Sequence, residues 1–425
     1  MSNYSEYSKD NLQLELIKLN DEYNNFKSQN LKLDMSRGKP SLEQTELSNE
    51  MFDILNSSSN FETKDGIDCR NYGLLDGIPQ IKKLFADLMD VDQDEVFVGG
   101  NSSLNLMFDV FTHFMTHGIA GEKPWFGRDV KFLCPVPGYD RHFSITEYYN
   151  VKMINIPMTK TGPDMDMVEN LVSSDESIKG IWCVPKYSNP DGITYSDETV
   201  KRFARLKPKA KDFRIMWDNA YCIHDLSDEP DKLLSLMSEC KKVGNEDIAI
   251  FFCSTSKITF PGSGVAALAA SKANMDEIKK RYSIQTIGFD KLNQLRHDRF
   301  FENMGALKKH MAKHRAIIEP KFQVVLDALN KEFSDNNIVS WNTPKGGYFI
   351  SVNLMDGCAK RVVELCKNAG VILTSAGATY PYKVDPKDSN IRLAPTYPSL
   401  DELELAIKLF CLCVKIASLE KLLNL

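Results

Sequence analysis

Apolar segments typical of strands alternate with helical segments between residues 95 and 270, and this alternation constrains the fold more than any other feature. Glu95–Asn101 is typical of a strand that enters a turn of small residues, and Ser102–His113 is typical of the helix after it. The later strand-like segments are Val130–Cys134, Lys152–Ile156, Gly180–Val184, Phe213–Trp217, Ile248–Cys253 and Val265–Ala270. Helical patterns such as Ser196–Leu206 and Asp276–Tyr282 separate most of them. This order predicts an α/β fold with a mostly parallel sheet and helices on both faces.

Both ends of the chain depart from this pattern. Near the start, apolar residues recur every three or four positions and predict an amphipathic helix: Leu12, Leu16, Leu19, Tyr23 and Phe26. A loop over Ser28–Pro40 follows, and further helices are predicted over Thr45–Leu55, Pro79–Met89 and, as one or two long helices, Phe289–Asn330. The last part mixes short strands with helices, namely strands at Ser340–Thr343, Gly347–Leu354, Val371–Thr374 and Asn390–Ala394 and helices at Asp356–Ala369 and Ser399–Leu425. We expect residues 1–56 and 301–425 to form a smaller α+β domain beside a large domain of residues 57–300.

Charge and cysteine content argue against several classes of protein. Lys and Arg total 52 against 58 Asp and Glu, so the formal net charge of −6 gives no reason to expect a nucleic acid or an anionic membrane as partner. The ten cysteines are scattered singly through apolar segments, so we expect reduced thiols and no metal site. No segment approaches the roughly 18 apolar residues of a membrane span, and the polar start does not resemble a signal peptide. We expect a soluble, cytoplasmic protein.

Polar residues follow four of the predicted strands, at the edge where parallel sheets bind ligands. The turn Gly99–Ser103 opens a helix and is either a phosphate cradle or an ordinary helix cap. The Asn189-Pro190 turn is either part of a site or a plain loop. Asp218 directly follows an apolar strand and needs a cationic or hydrogen-bonding partner, unless it caps a helix. Lys257, among hydroxyls after a buried strand, is either a surface lysine or an amine poised to form a Schiff base.

The order of these motifs resembles that of pyridoxal-phosphate-dependent aminotransferases of class I/II, the fold type I enzymes of the aspartate-aminotransferase type. The resemblance covers nearly the whole chain and includes Tyr72-Gly73, Pro137-Gly138-Tyr139 and Asn390–Ala394. Within the family, Ser36–Pro40 and Ser256–Gly264 resemble a divergent bacterial subgroup of aspartate aminotransferases. The resemblance implies a seven-stranded, mostly parallel sheet, a smaller domain built from both chain ends, and pyridoxal 5'-phosphate as cofactor.

The resemblance also implies roles for residues around the cofactor. Lys257 would form the Schiff base and move the proton in a 1,3 shift, while Asp218 would pair with the pyridinium nitrogen. Asn189 and Tyr221 would hydrogen-bond the phenolic oxygen, and Tyr139 would stack on the ring. The phosphate would be held by Asn101, Ser102, Ser103 and Ser254, with Ser256 as a further candidate. Tyr72 would reach the phosphate from a neighbouring subunit, which implies a homodimer.

Substrate contacts follow from the same resemblance. Arg392 would bind the α-carboxylate near Asn189, and Gly38 would mark a close approach of the backbone to the substrate. A dicarboxylic substrate needs a second cation, for which the candidates are Arg37, Lys39, Arg281, Arg296 and Arg299. One departure is clear, because Pro261–Gly264 lacks the Arg or Lys with which relatives neutralise the phosphate. The candidates for its replacement are Lys272, Lys39 and Arg37.

The leading hypothesis is an aminotransferase that uses aspartate or glutamate as donor and a 2-oxo acid such as 2-oxoglutarate as acceptor. A lyase or decarboxylase on the same fold is an alternative, because the fold does not determine the reaction. A regulator that binds the cofactor and DNA is disfavoured, since only about thirty residues without a basic balance precede Arg37. The complete set of Lys257, Asp218, Tyr221 and Asn189 disfavours an inactive homologue.

Overall fold

The computed structural model describes Tyr4, residues 7–335 and residues 337–424, and these residues form one large sheet, two small sheets and thirteen α-helices. The helices are α1 (Lys9–Ser28), α2 (Leu42–Glu46), α3 (Pro79–Met89), α4 (Ser103–His117), α5 (Asp140–Tyr148), α6 (Met165–Ser174), α7 (Asp197–Ala204), α8 (Leu236–Val243), α9 (Lys272–Gln285), α10 (Lys291–Phe301), α11 (Met304–Phe333), α12 (Ala359–Asn368) and α13 (Leu400–Leu423). The strands are β1 (Leu33–Asp34), β2 (Val96–Val98), β3 (Lys131–Val136), β4 (Lys152–Thr159), β5 (Gly162–Pro163), β6 (Ile178–Cys183), β7 (Arg214–Asp218), β8 (Ala249–Ser254), β9 (Ala266–Ala270), β10 (Val339–Trp341), β11 (Ile350–Leu354), β12 (Val371–Ile372) and β13 (Asn390–Leu393).

The large sheet has the strand order β2-β9-β8-β7-β6-β3-β4-β5. Strands β8, β7, β6, β3 and β4 run parallel to one another, whereas β9, β2 and β5 pair antiparallel with their neighbours. All seven strands expected from the sequence are present, and the two-residue strand β5 extends the sheet to eight. The α/β fold class is confirmed.

Side chains of the central strands alternate between two apolar cores, one on each face of the sheet. In β7, Ile215 and Trp217 face one core and Met216 faces the other. Because both faces are buried, the strands read as continuous apolar runs. Strands β7 and β8 end side by side at Asp218 and Ser254, so the residues that follow them meet at one edge of the sheet.

Both ends of the chain share a third core beside that edge. Strands β10, β11 and β13 form an antiparallel sheet, and β1 pairs with β12 through Leu33 and Val371. Helix α1 packs against α13, and the Tyr23 hydroxyl donates to the Leu365 carbonyl at 2.9 Å. The smaller α+β part is therefore built from both chain ends as expected, while the domain boundaries at residues 56 and 300 stay a prediction.

Two expected helices have different limits from those predicted. The helix expected over Thr45–Leu55 is wrong, because a capping box at Ser41 starts α2 earlier and a separate 3-10 turn covers Asn49–Phe52. The long region expected over Phe289–Asn330 is two helices. Asn303 separates them, since its Oδ1 accepts from two backbone amides at the start of α11. No helix in the described part of the chain is long and apolar enough to cross a bilayer.

A buried ion pair joins Lys179 of β6 to Asp212, two residues before β7, and generates a stability prediction. Lys179 Nζ donates to Asp212 Oδ1 at 2.6 Å, and Trp125 Nε1 donates to Asp212 Oδ2 at 2.9 Å. Asp212→Asn keeps an acceptor for the indole but leaves a buried ammonium unpaired, so the free energy of unfolding should fall by about 3–5 kcal/mol in urea titrations. The double variant with Lys179→Met should recover much of this loss, and a double variant as unstable as the single one would contradict the argument.

Candidate active site

A cleft of about 640 Å³ lies between the carboxyl edge of the large sheet and the three-stranded sheet. The cleft gathers residues from distant parts of the chain, and eight of the predicted site residues line it: Arg37, Gly38, Lys39, Tyr139, Asn189, Tyr221, Lys257 and Arg392. The sheet edge, the N-terminal arm and strand β13 each contribute one wall. The cleft therefore has the position that ligand sites take in open parallel sheets.

Asp218 is a buried carboxylate with one oxygen in use and one free. It is the last residue of β7 and is only 2% exposed. His142 Nε2, from α5, lies 3.0 Å from Asp218 Oδ2, and the imidazole stacks on Trp182 with ring centres 4.5 Å apart. Asp218 Oδ1 is buried and has no hydrogen-bond partner among the described residues. A buried carboxylate oxygen without a partner is costly, so this atom points to a donor that the protein chain does not supply.

Lys257 lies in the turn directly after β8, with its ammonium near two aromatic faces. Nζ is 5.0 Å from the centre of the Tyr221 ring and 5.9 Å from that of Tyr348. Burial lowers the pKa of Lys257 below its usual value, although the nearby Asp218 charge opposes this shift. A lowered pKa favours the neutral amine, the form that acts as a nucleophile and accepts protons.

Neutral histidines hold the lysine turn from behind. His224 Nε2 lies 3.3 Å from the Lys257 carbonyl oxygen, and His310 and His314 each place Nε2 within 3.0 Å of the Ile258 carbonyl oxygen. Burial lowers the pKa of His224 to about 3 and that of His314 to about 4. These imidazoles are uncharged at neutral pH and act as hydrogen-bonding supports for the turn.

Two tyrosines and an amide face the same space as Lys257. Tyr139 caps α5 and meets His142 edge to face with ring centres 4.9 Å apart. Tyr221 is 2% exposed and follows β7 by three residues. Burial, with the Asp218 charge adding to it, raises the pKa of Tyr139 above its usual value, and burial likewise raises the pKa of Tyr221. Both phenols therefore remain protonated and able to donate.

Arg392 lies on the opposite wall, on β13, and its guanidinium is partly engaged. Nη1 donates to Asp140 Oδ1 at 2.8 Å and to Asn189 Oδ1 at 3.1 Å, and the group lies over the Phe349 ring at 4.7 Å. Its Nε is buried and has no hydrogen-bond partner among the described residues. Gly38 packs against the same ring, because a Cβ at this position would lie 2.7 Å from Phe349 Cε1. The close approach at Gly38 is thus to an aromatic ring that supports Arg392.

The predicted phosphate-binding residues meet where the loop before α4 approaches the end of β8. Ser256 Oγ donates to the Asn101 carbonyl at 3.3 Å, and Ser254 Oγ donates to Ser256 Oγ at 3.1 Å. Ser102 caps α4 without using its own hydroxyl on the helix, and Ser103 is the first helical residue. Hydroxyls beside a helix N-terminus are well suited to an anion.

The loop without the expected cation has no room for one at Gly264. A Cβ there would lie 3.1 Å from both Ser256 N and Thr255 Oγ1. Asn293 Nδ2 donates to the carbonyls of Ser263 and Gly264, and Arg296 Nη2 donates to Asn293 Oδ1 at 2.6 Å. Arg296 therefore lies next to the residue that holds this loop.

Other predicted cations contact partners of their own. Lys272 is exposed and pairs with Asp276, while Lys39 Nζ lies 3.7 Å above the Tyr397 ring. Arg299 donates to backbone carbonyls near residue 60, outside the cleft. Tyr72 is 84% exposed and does not line the cleft.

Sequence reasoning missed several residues of the cleft. The structure adds Asp140 and Arg141, which follow Tyr139, and Phe349, which precedes β11, to the lining of the cleft. It also places His142 against Asp218. The segment Tyr139–His142 offered a signal, because a helix that begins at a sheet edge places its first-turn side chains toward the site. Phe349 offered none, since its role depends on Gly38, 311 positions away in the chain.

Comparisons with known proteins agree on one family. A family model described as aspartate amino-transferase matches residues 7–425. An aspartate aminotransferase of Corynebacterium glutamicum is 43% identical over 95% of this chain and 93% of its own length. The crystal structure of an aspartate transaminase from the same species has a TM-score of 0.96 at 41% identity and covers 99% of each chain. An alpha-aminoadipate aminotransferase from Thermus thermophilus, complexed with N-(5'-phosphopyridoxyl)-L-leucine, has a TM-score of 0.74 at 18% identity, with 98% of this chain and 96% of its own covered.

The contact between Gly38 and Phe349 can be tested directly. Gly38→Ala forces its new methyl group into the ring, so we expect a loss of about 1–3 kcal/mol in unfolding free energy. Phe349→Leu in the same background should restore part of it, because the smaller side chain makes room. Gly262→Ala is the matched control, since a Cβ there meets nothing within 4 Å. Equal losses in Gly38→Ala and Gly262→Ala would contradict the assignment.

Proposed function

The chain belongs to the aspartate amino-transferase family, and from that premise we propose that it binds pyridoxal 5'-phosphate and exchanges an amino group between aspartate or glutamate and a 2-oxo acid such as 2-oxoglutarate. The aminotransferase activity is supported by relatives above 40% identity over nearly the full chain. The observation in the structure that carries the proposal is the free oxygen of Asp218, buried in reach of the cleft's aromatic residues.

The residues present fit this cofactor. A protonated pyridine nitrogen is the donor that Asp218 Oδ1 lacks, and His142 holds the other oxygen of the carboxylate in place. Tyr221 and Asn189 would hydrogen-bond the phenolic oxygen, and Tyr139 would cover one face of the ring. The hydroxyls of Ser102, Ser103, Ser254 and Ser256 and the Asn101 segment would hold the phosphate.

When bound, pyridoxal phosphate supplies an aldehyde carbon that bonds to amines and a ring that withdraws electrons from the attached amino acid. Asp218 would hold a proton on the ring nitrogen and so maintain the withdrawal of electrons by the ring. Lys257, whose pKa burial lowers, would accept the proton from the substrate Cα and return it at the former aldehyde carbon. The histidines behind the turn fix the position from which Nζ acts.

Arg392 is the proposed site for the substrate α-carboxylate, since a planar guanidinium suits bidentate binding. In the protein alone, Asp140 occupies Nη1. An incoming carboxylate must therefore displace Asp140 or share Arg392 with it. Asp140 would therefore weaken the binding of an anion to Arg392 unless that anion also contacts other residues of the cleft.

The cations of the cleft support a dicarboxylic substrate. Arg37, Lys39, Arg141 and Lys383 line it, against the two carboxylates Asp140 and Glu147. We propose that the side-chain carboxylate of aspartate or glutamate binds among these cations. For the phosphate we propose Arg296 as the compensating cation, because it neighbours Asn293 and its buried Nε has no partner in the described chain.

We further propose a cytoplasmic homodimer. An exposed tyrosine such as Tyr72, on a loop near the large sheet, is available to the phosphate site of a second copy. All ten cysteines are free thiols, which supports a reducing compartment. The division into a cofactor domain of residues 57–300 and a smaller domain of residues 1–56 and 301–425 is part of this proposal.

The function is tested by a half-reaction screen. The holoenzyme is mixed with each amino acid in turn, and loss of its visible absorbance identifies the donor; we expect the largest loss with aspartate or glutamate. Lys257→Ala should lower turnover by at least about 10³-fold and abolish the borohydride-reducible adduct in peptide mass spectra. Lys272→Ala, a change in an exposed ion pair, is the control and should match the wild type. An adduct that persists in Lys257→Ala would remove this lysine from the proposed role.

The competition between Asp140 and substrate gives a second test. Asp140→Asn removes the carboxylate from Arg392 Nη1, so a dicarboxylate inhibitor should bind several-fold more tightly, and Arg392→Gln should weaken it by at least about tenfold. Dissociation constants follow from titrations of the cofactor absorbance. If Asp140→Asn weakens inhibitor binding instead, Asp140 orients Arg392 and does not compete for it.

A further inference from the structure

Cys222 differs from every other cysteine of the chain. The other nine are buried, whereas Cys222 is partly exposed. It lines a cavity of about 510 Å³ on the far side of the β7–β8 edge, and this cavity shares no lining residue with the cleft. A small oxidant can therefore reach this thiol without entering the cleft.

A second thiol lies directly behind it. Cys222 Sγ is 3.7 Å from Sγ of Cys253, which is fully buried in β8. A disulfide requires about 2.05 Å between the sulfurs, so closure needs a movement of under about 2 Å. The movement falls on the turn after β7, because Cys253 lies inside the sheet.

Two contacts lower the pKa of the Cys222 thiol. The larger is a hydrogen bond from the Cys253 thiol and the smaller is the Lys186 charge, while burial opposes both. Lys186 Nζ donates to the Cys222 carbonyl at 3.0 Å and pairs with Asp225 at 2.8 Å. Asn219 Oδ1, on the same cavity wall, is buried and without a partner in the described chain, so this wall also offers an acceptor to a small hydroxylic molecule.

We propose that Cys222 is a peroxide-reactive thiol, reached through this cavity, and that Cys253 resolves it as a disulfide. The Cys222 thiolate attacks one oxygen of the peroxide, the O–O bond breaks, and a sulfenic acid and hydroxide form. The Cys253 sulfur then attacks the Cys222 sulfur, the S–O bond breaks, and the thiol proton leaves with the hydroxyl as water. In sum, two thiols and hydrogen peroxide give one disulfide and two waters.

The disulfide would affect the cleft by displacing the turn after β7, which carries Cys222. Asp218 and Tyr221 lie within four residues of Cys222, and Ser254 and Lys257 within four of Cys253. The Asn219 amide donates to the Phe252 carbonyl at 2.8 Å, so the two segments are in direct contact next to the two sulfurs. Contraction between the sulfurs would shift Asp218 relative to Lys257. This consequence rests on the proposed function, whereas the thiol chemistry does not.

The test uses the holoenzyme treated with hydrogen peroxide and read by mass spectrometry. Wild-type protein should lose about 2 Da, yield a cross-linked peptide pair containing Cys222 and Cys253, and recover with dithiothreitol. Cys253→Ala should stop at a sulfenic acid on Cys222 that dimedone traps. Cys183→Ala, a buried cysteine at the end of neighbouring β6, is the matched control and should form the cross-link.

Two results would overturn the proposal. One is that another cysteine is oxidised before Cys222, and the other is that dimedone does not label Cys222 in Cys253→Ala. If Cys253→Ala does not fold, native wild-type protein is labelled with a limiting amount of a thiol reagent instead. The proposal requires that Cys222 is labelled before the other cysteines.

Oxidised wild type should also lose at least about tenfold in transaminase activity, while Cys222→Ala keeps its activity under peroxide. A disulfide that leaves activity unchanged would overturn the coupling to the cleft. The mass readout needs no catalysis, so failure of the proposed function is seen separately.

Discussion

Burial of the Asp218 carboxylate is the constraint on which the arrangement of the cleft depends. A carboxylate at the end of an apolar strand is costly unless its oxygens are paired, and the chain pairs one of them. His142 supplies that contact, Trp182 holds His142 by stacking, and Trp182 Nε1 donates to Thr146 on α5. The other oxygen is buried and has no hydrogen-bond partner among the described residues, so it is the atom of this carboxylate that can accept from a ligand.

The turn that carries Lys257 is held by uncharged groups. Its backbone carbonyls are held by imidazoles that burial keeps neutral, and Gln44 and the Tyr348 hydroxyl extend the contacts to the N-terminal arm. Charged supports at these positions would place further cations beside Lys257 and push its pKa lower still. Neutral donors and acceptors position the amine while leaving Asp218 as the charged group that acts on it.

Much of this arrangement could be predicted from the sequence, and the limits have physical causes. The seven strands and the residues after them were readable because buried parallel strands are continuous apolar runs that end in polar residues. Helix limits near residues 41–55 were not, since they depend on a capping box whose Gln44 is also used by His314. Among site residues, Lys257, Asp218 and Arg392 stood in recognisable motifs. The contacts of Phe349, Asp140 and Asn293 depend on partners far along the chain, which no local pattern encodes.

The pairing of β1 with β12 has a consequence for how the protein is made. Leu33 meets Val371, and α1 packs on α13, so β1 and α1 leave the ribosome long before their partners. Strands β2 to β9 can assemble earlier, because their partners lie within residues 96–270. The floor of the cleft can thus form during synthesis, whereas the walls carrying Arg37 and Arg392 can close only after β13 and α13 have emerged. An incomplete chain would hold Asp218 and Lys257 without the means to grip a substrate.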